Sequence, residues 1–145
     1  MTNKIYLYIA LIFFVAVTQT VISESQHFYD ENTNEKELFS IAIKSFEQRT
    51  FFHALEIFQR ISASSDNKMD RENARFYIGE CLYYLKRYNE AIETYKNVFQ
   101  NYPHSKRRNS IVLRIGEIYF LKQQWDESIH WNKILLDDST LEEDL

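Results

Sequence analysis

The stretch "RFYIGECLYYLKRYNEAIETYKNVFQNYP" spans residues 75–103 and decides how the rest of the chain is read. It contains Gly79, one of only two glycines in 145 residues. The other, Gly116, stands in the same tripeptide, Ile-Gly-Glu, at Ile115-Gly116-Glu117. Both lie in strongly helical surroundings, where glycine costs about 1 kcal/mol against alanine. A glycine-poor chain that places both of its glycines there points to a packing requirement shared by the two sites.

Aligning Gly79 on Gly116 sets an offset of 37 residues. The same offset places Tyr84 on Leu121, Tyr88 on Trp125, Asn89 on Asp126, Glu90 on Glu127, Ala91 on Ser128 and Ile92 on Ile129. Backwards it places Gly79 on Ala42, Tyr88 on Phe51, Ala91 on Ala54 and Tyr95 on Phe58. Small, aromatic and aliphatic positions hold register through three units, the signature of a repeat array.

Each unit has the pattern of two helices. In Ala74–Leu85 the apolar residues fall at 77, 78, 81, 82 and 85, an amphipathic helical stripe. Lys86-Arg87 suits a helix C-terminus. A turn is expected at Tyr88-Asn89-Glu90 with Asn89 as the next cap, a second helix over Glu90–Gln100, and Pro103 beyond its end. The third unit repeats this, with helices over Arg108–Lys122 and Glu127–Leu136 and Asp126 as cap. The first has helices near Lys36–Gln48 and Phe52–Ile61. The expected fold is all-α: a solenoid of about three helix-turn-helix units, at about 35–68, 72–105 and 109–136, within a domain over 35–136.

These residues resemble the tetratricopeptide repeat. Ile78-Gly79, Ala91-x-x-x-Tyr95 and Pro103 match its pattern in the second unit. Ile115-Gly116, Tyr119 and Ser128 match it in the third, and Ile41-Ala42 with Ala54-x-x-x-Phe58 in the first. The chain departs from the pattern at Asn132, where an aromatic is expected, and in its 37-residue period. The added length fits "SSDNKMD" and "NYPHSKR" between units. Such lengthened repeats are similar to those of bacterial envelope proteins, of the outer-membrane assembly lipoprotein and Tol–Pal periplasmic coordinator types.

The resemblance implies a non-catalytic scaffold that holds a peptide or helix in a concave groove lined by the first helices. Groove positions then map to Phe39, Ile43, Phe76, Glu80, Tyr83, Leu113, Glu117 and Phe120, with Phe46 and Tyr84 alongside. Two carboxylates and no basic residue at these positions suggest a partner with some positive charge, and count against the carboxylate-clasping members. The alternative is an envelope enzyme, or enzyme subunit, using Glu80 and Glu117 as a pair; the plainer reading has both carboxylates solvated. No phosphate loop, nucleophile elbow, metal set or cofactor motif is present in the sequence. His130 and Asp126 are spaced as half a metal site without a third ligand.

Composition bounds the rest. Apolar residues at 45% and charged residues at 26% support a packed core, and a net charge of −4 with no basic stripe argues against nucleic acid. Cys81 is the single cysteine, so no internal disulfide can form. Residues 1–23 carry Lys4 and then an unbroken apolar run of 13 residues, Ile5 to Val17. That length suits a signal peptide better than a span of about 20 residues, though an uncleaved anchor is the alternative. Either places the chain outside the cytoplasm, in the periplasm or on the membrane's outer face. Residues 24–34 are expected to be a linker and 137–145 an acidic tail, too short to cap the array. The last helix would then leave Trp131, Ile134 and Leu135 on an open edge able to bind a partner or a second copy.

Overall fold

The computed structural model describes residues 34–142, with side chains to residue 136. The expected signal or anchor segment and nearly all of the linker lie outside the described residues. Glu35–Leu145 forms one compact unit. It contains six helices in sequence: α1 (Glu35–Glu47), α2 (Phe51–Ser64), α3 (Lys68–Tyr84), α4 (Tyr88–Asn101), α5 (Arg108–Leu121) and α6 (Trp125–Glu142). They pair as three hairpins, α1–α2, α3–α4 and α5–α6, stacked as a helical solenoid, and no strand occurs among the described residues.

Three identical closures set the repeat. Arg49, Lys86 and Gln123 take left-handed backbone, with φ of 62°, 61° and 58°. In the second hairpin Lys86 N–H donates to Tyr83 O and Arg87 N–H to Leu82 O; in the third, Gln123 and Gln124 bond Phe120 and Tyr119 in the same way. This is the Schellman closure, whose left-handed residue is usually glycine. The chain keeps its glycines for helix interiors, where neither has positive φ. A side chain in the left-handed region costs about 1 kcal/mol or more. Lys86→Gly is therefore expected to raise the unfolding free energy by up to about 1 kcal/mol, less the extra freedom glycine gives the unfolded chain, as read by urea unfolding.

The closure shifts the expected helix starts. The second helices begin at Tyr88 and Trp125, so Asn89 and Asp126 lie inside their helices and do not cap them. Arg87 occupies the cap position of α4, and its guanidinium grips Glu90 at 2.7 and 2.6 Å. The inter-unit segment "SSDNKMD" is half helix, because Asn67 accepts from Met69 N–H at 2.9 Å and starts α3 six residues earlier than expected. At the other end α6 runs to Glu142, past the expected stop at Leu136.

The glycines sit where hairpins are tightest. A Cβ on Gly79 would stand 2.5–2.9 Å from the Tyr95 ring, and one on Gly116 would stand 2.8–3.1 Å from the Asn132 amide. Each is a first-helix site crossed by the second helix of its own hairpin, with Ala42 filling that slot in the first. The core around these crossings contains Phe58, Ile61, Tyr95, Val98, Ile111, Ile115 and Ile118, all fully buried.

Candidate interaction groove

The first helices meet through side chains. Phe46 and Tyr77 pack edge to face at 5.5 Å, joining α1 to α3, and Arg114 joins α5 to α3. Arg114 is the centre of the face. Its Nε and Nη2 donate to the two oxygens of Glu80 at 2.9 and 3.0 Å, and its Nη1 donates to Glu117 at 2.9 Å. Tyr95 donates a short hydrogen bond to Glu80, and Tyr83 donates to Glu117 at 2.7 Å. The Arg114 guanidinium also lies 4.7 Å from the centre of the Tyr83 ring.

Two expectations fail here. Glu80 is not a solvated carboxylate: the residue is 7% exposed, lying beneath Arg114 and Tyr95. The face does hold a basic residue, but Arg114 is spent on the two glutamates, so it does not form a carboxylate clasp. Glu80 and Glu117 are brought together, as their equivalent positions suggested, yet through a cation between them. The signal available in the sequence was the Arg114–Glu117 spacing of one helical turn.

Of the expected groove residues, Phe76, Glu80, Leu113 and Glu117 line one cleft of about 280 Å³ with Ser110 and Arg114. Leu113, Glu117 and Phe120 line a second, of about 460 Å³, with Gly116, Ser128 and Asn132. Leu113 is 53% and Phe120 59% exposed, forming raised apolar walls. Phe76 is a buried floor, covered by the Arg107 guanidinium at 4.4 Å. Arg107 belongs to the basic segment between hairpins; its Nε also donates to Asn73 at 3.0 Å. Phe39 and Ile43 line neither cleft. Both are half-buried, and Phe39 packs edge-on against Phe58 at 5.6 Å.

The open edge also differs from expectation. Trp131, Ile134 and Leu135 are half-buried, with Trp131 edge-on to Phe99 at 5.4 Å. The exposed apolar residues of the last hairpin include Trp125 and Ile129.

Burial governs the titrating groups under this face. It pushes the Cys81 thiol up to about 12, with help from the Glu80 charge. Burial also raises the Tyr95 phenol, again with Glu80 behind it, and raises Tyr83 to about 12 with Glu117. Folded values above unfolded ones mean the native state keeps protons that the unfolded chain has lost. The stability these groups contribute is whole below pH 9 and is lost as pH rises from 9 towards 12. The Cys81 thiolate fraction falls about a thousandfold. Iodoacetamide at pH 8 is therefore expected to leave native Cys81 unmodified while labelling the urea-unfolded chain; equal rates would contradict this burial.

The paired helices, their tight small-residue crossings and the side-chain-lined face define a solenoid of helical hairpins. Residues 73–105 match the family model described as Tetratricopeptide repeat. No curated protein matches the chain. Among solved structures the chain is similar to PcrH, crystallised in complex with the chaperone binding region of PopB. The TM-score is 0.58 at 15% identity, over 72% of this chain and 78% of that one. At that identity the likeness concerns the fold.

Proposed function

We propose that the chain is a non-catalytic adaptor that holds an extended peptide or an amphipathic helix against the face formed by α1, α3 and α5. The observation that carries this reading is the pair of adjoining clefts along α5, walled by exposed Leu113 and Phe120 and sharing the polar groups of Arg114 and Glu117. Apolar walls with few directed polar groups suit a peptide ligand. The use of the PcrH fold to bind a region of PopB supports the same direction. An enzyme using Glu80 and Glu117 is disfavoured, because both carboxylates already accept from Arg114 and a tyrosine. Glu80, Glu117 and Arg114 together carry a single net negative charge, which weakens the case for a strongly basic partner.

We propose further that residues 1–23 export the chain or anchor it, so that its partners are envelope proteins. Alkaline phosphatase fused after residue 34 is expected to be active, since it folds only where disulfides form; an inactive but stable fusion would remove the envelope assignment. The groove reading is tested with a photo-crosslinking residue at Leu113 or Phe120 in cells. One shared crosslinked protein is expected, with a peptide of it binding the purified chain and binding at least tenfold less to Leu113→Glu. Absence of any crosslink from both positions would refute the groove.

Self-association is a second reading, favoured by one residue. Ile129 is 54% exposed, whereas its register partners Leu55 and Ile92 are buried. A concentration-dependent dimer in sedimentation, lost in Ile129→Glu, is expected on this reading.

A further inference from the structure

We infer that the cleft between α5 and α6 is a socket for a tyrosine side chain supplied by the bound segment. This rests on the groove reading above and gives the partner a chemistry at one point.

The inference comes from comparing the same place in successive hairpins. In the second, the Tyr95 ring lies directly over Gly79, and its hydroxyl donates to Glu80. In the third, Gly116 and Glu117 repeat Gly79 and Glu80, but Asn132 stands where Tyr95 would be. The Asn132 amide sits over Gly116 and turns back towards Ser128 Oγ at 3.5 Å. Ser128 in turn donates to Gly116 O at 2.9 Å. The shorter side chain leaves open the space that a phenol ring fills one hairpin earlier. That space is the cleft of about 460 Å³ lined by Leu113, Arg114, Gly116, Glu117, Phe120, Ser128 and Asn132.

Relative to its equivalent, the socket lacks a ring and hydroxyl from its own second helix; the hydroxyl that reaches Glu117 comes from Tyr83 of the preceding hairpin. Leu113 and Phe120 offer apolar walls to a ring. Each Glu117 oxygen already accepts one bond, from Tyr83 and from Arg114, but a carboxylate has about four lone-pair sites, so Glu117 has room for a further hydroxyl, as Glu80 Oε1 has for two donors. A phenylalanine would gain the walls but not the additional hydrogen bond. A lysine or arginine tip would meet Arg114, which already holds Glu117. Tyrosine satisfies both halves.

The probes are N-acetyl-tyrosinamide and N-acetyl-phenylalaninamide, titrated into the labelled chain while the amide signals of Gly116 and Ser128 are followed by NMR. The tyrosine amide is expected to give a saturable shift with a Kd on the order of a millimolar, about tenfold below that of the phenylalanine amide. Asn132→Tyr fills the socket from within and is expected to abolish the shift while raising Tm. Glu117→Gln, on the exposed rim, is expected to fold normally and reduce the preference for tyrosine. It keeps the inference testable should Asn132→Tyr fold poorly. No saturable shift at Gly116, equal binding of both amides, or an unchanged shift in Asn132→Tyr would each overturn the socket. A crosslinked partner with no tyrosine at its contact would overturn the socket and leave the groove standing. Tyrosine-amide binding with no partner crosslinked would do the reverse.

Discussion

Replacing Arg114 with methionine is expected to lower the unfolding free energy by about 3–5 kcal/mol, because it leaves a buried carboxylate without its cation. Glu80 carries a side chain only 9% exposed, and Arg114 supplies two of its hydrogen bonds. What remains is the Tyr95 hydroxyl, one neutral donor for a full charge. A methionine keeps an apolar stem of similar reach but loses the guanidinium's contact with the Tyr83 ring, so the loss reports the charge together with that cation–π contact. The double variant Glu80→Gln/Arg114→Met removes the stranded charge and is expected to recover roughly half of the loss. Urea unfolding with unchanged slope is the measurement. A loss below about 1 kcal/mol would mean that water reaches Glu80 and that the pair behaves as a surface ion pair. The pair also links α3 to α5, so hydrogen exchange in α5 and α6 is expected to speed up before that in α1 and α2.

The repeat was legible because a hairpin crossing has room for only certain sizes. Gly79 and Gly116 lie under Tyr95 and Asn132, Ala42 and Phe58 hold the same register, and this spacing rule survives as a 37-residue period. Helix starts were less legible. The left-handed residues that close the first helices are Arg49, Lys86 and Gln123, none of which advertises that conformation as glycine would. Asn89 therefore looked like a cap, while its side chain instead accepts from Lys122 at 2.6 Å. The site was partly legible. Periodicity assigns Glu80, Leu113 and Glu117 to one face of their helices, but it does not say what the next hairpin lays over that face. Arg114 covers Glu80 from the neighbouring hairpin, a contact across 34 positions that no local pattern encodes. The half-burial of Trp131 has the same origin, since Phe99 of the preceding hairpin packs edge-on against it.

The two glycines offer a paired experiment in which the same substitution should have opposite signs. Gly79→Ala is expected to destabilise by about 2 kcal/mol. Alanine would gain about 1 kcal/mol of helix propensity, but its methyl would meet the Tyr95 ring at 2.5–2.9 Å. That ring is fully buried and tethered through its hydroxyl to Glu80, so it cannot swing aside, and overpacking of this kind costs about 3 kcal/mol. Gly116→Ala meets only the Asn132 amide, the end of an exposed side chain that can rotate away. There the propensity gain should dominate, leaving the variant neutral or more stable by up to about 1 kcal/mol. Tyr95→Leu should relieve most of the Gly79→Ala penalty, so the double-mutant cycle is expected to show a coupling of about 1–2 kcal/mol. Equal losses at both glycines, with no coupling to Tyr95, would mean that the crossing backbones exclude the methyl and not the ring. The space over Gly116 would then be set by the helices alone, and Asn132 would have no part in opening the cleft beside it.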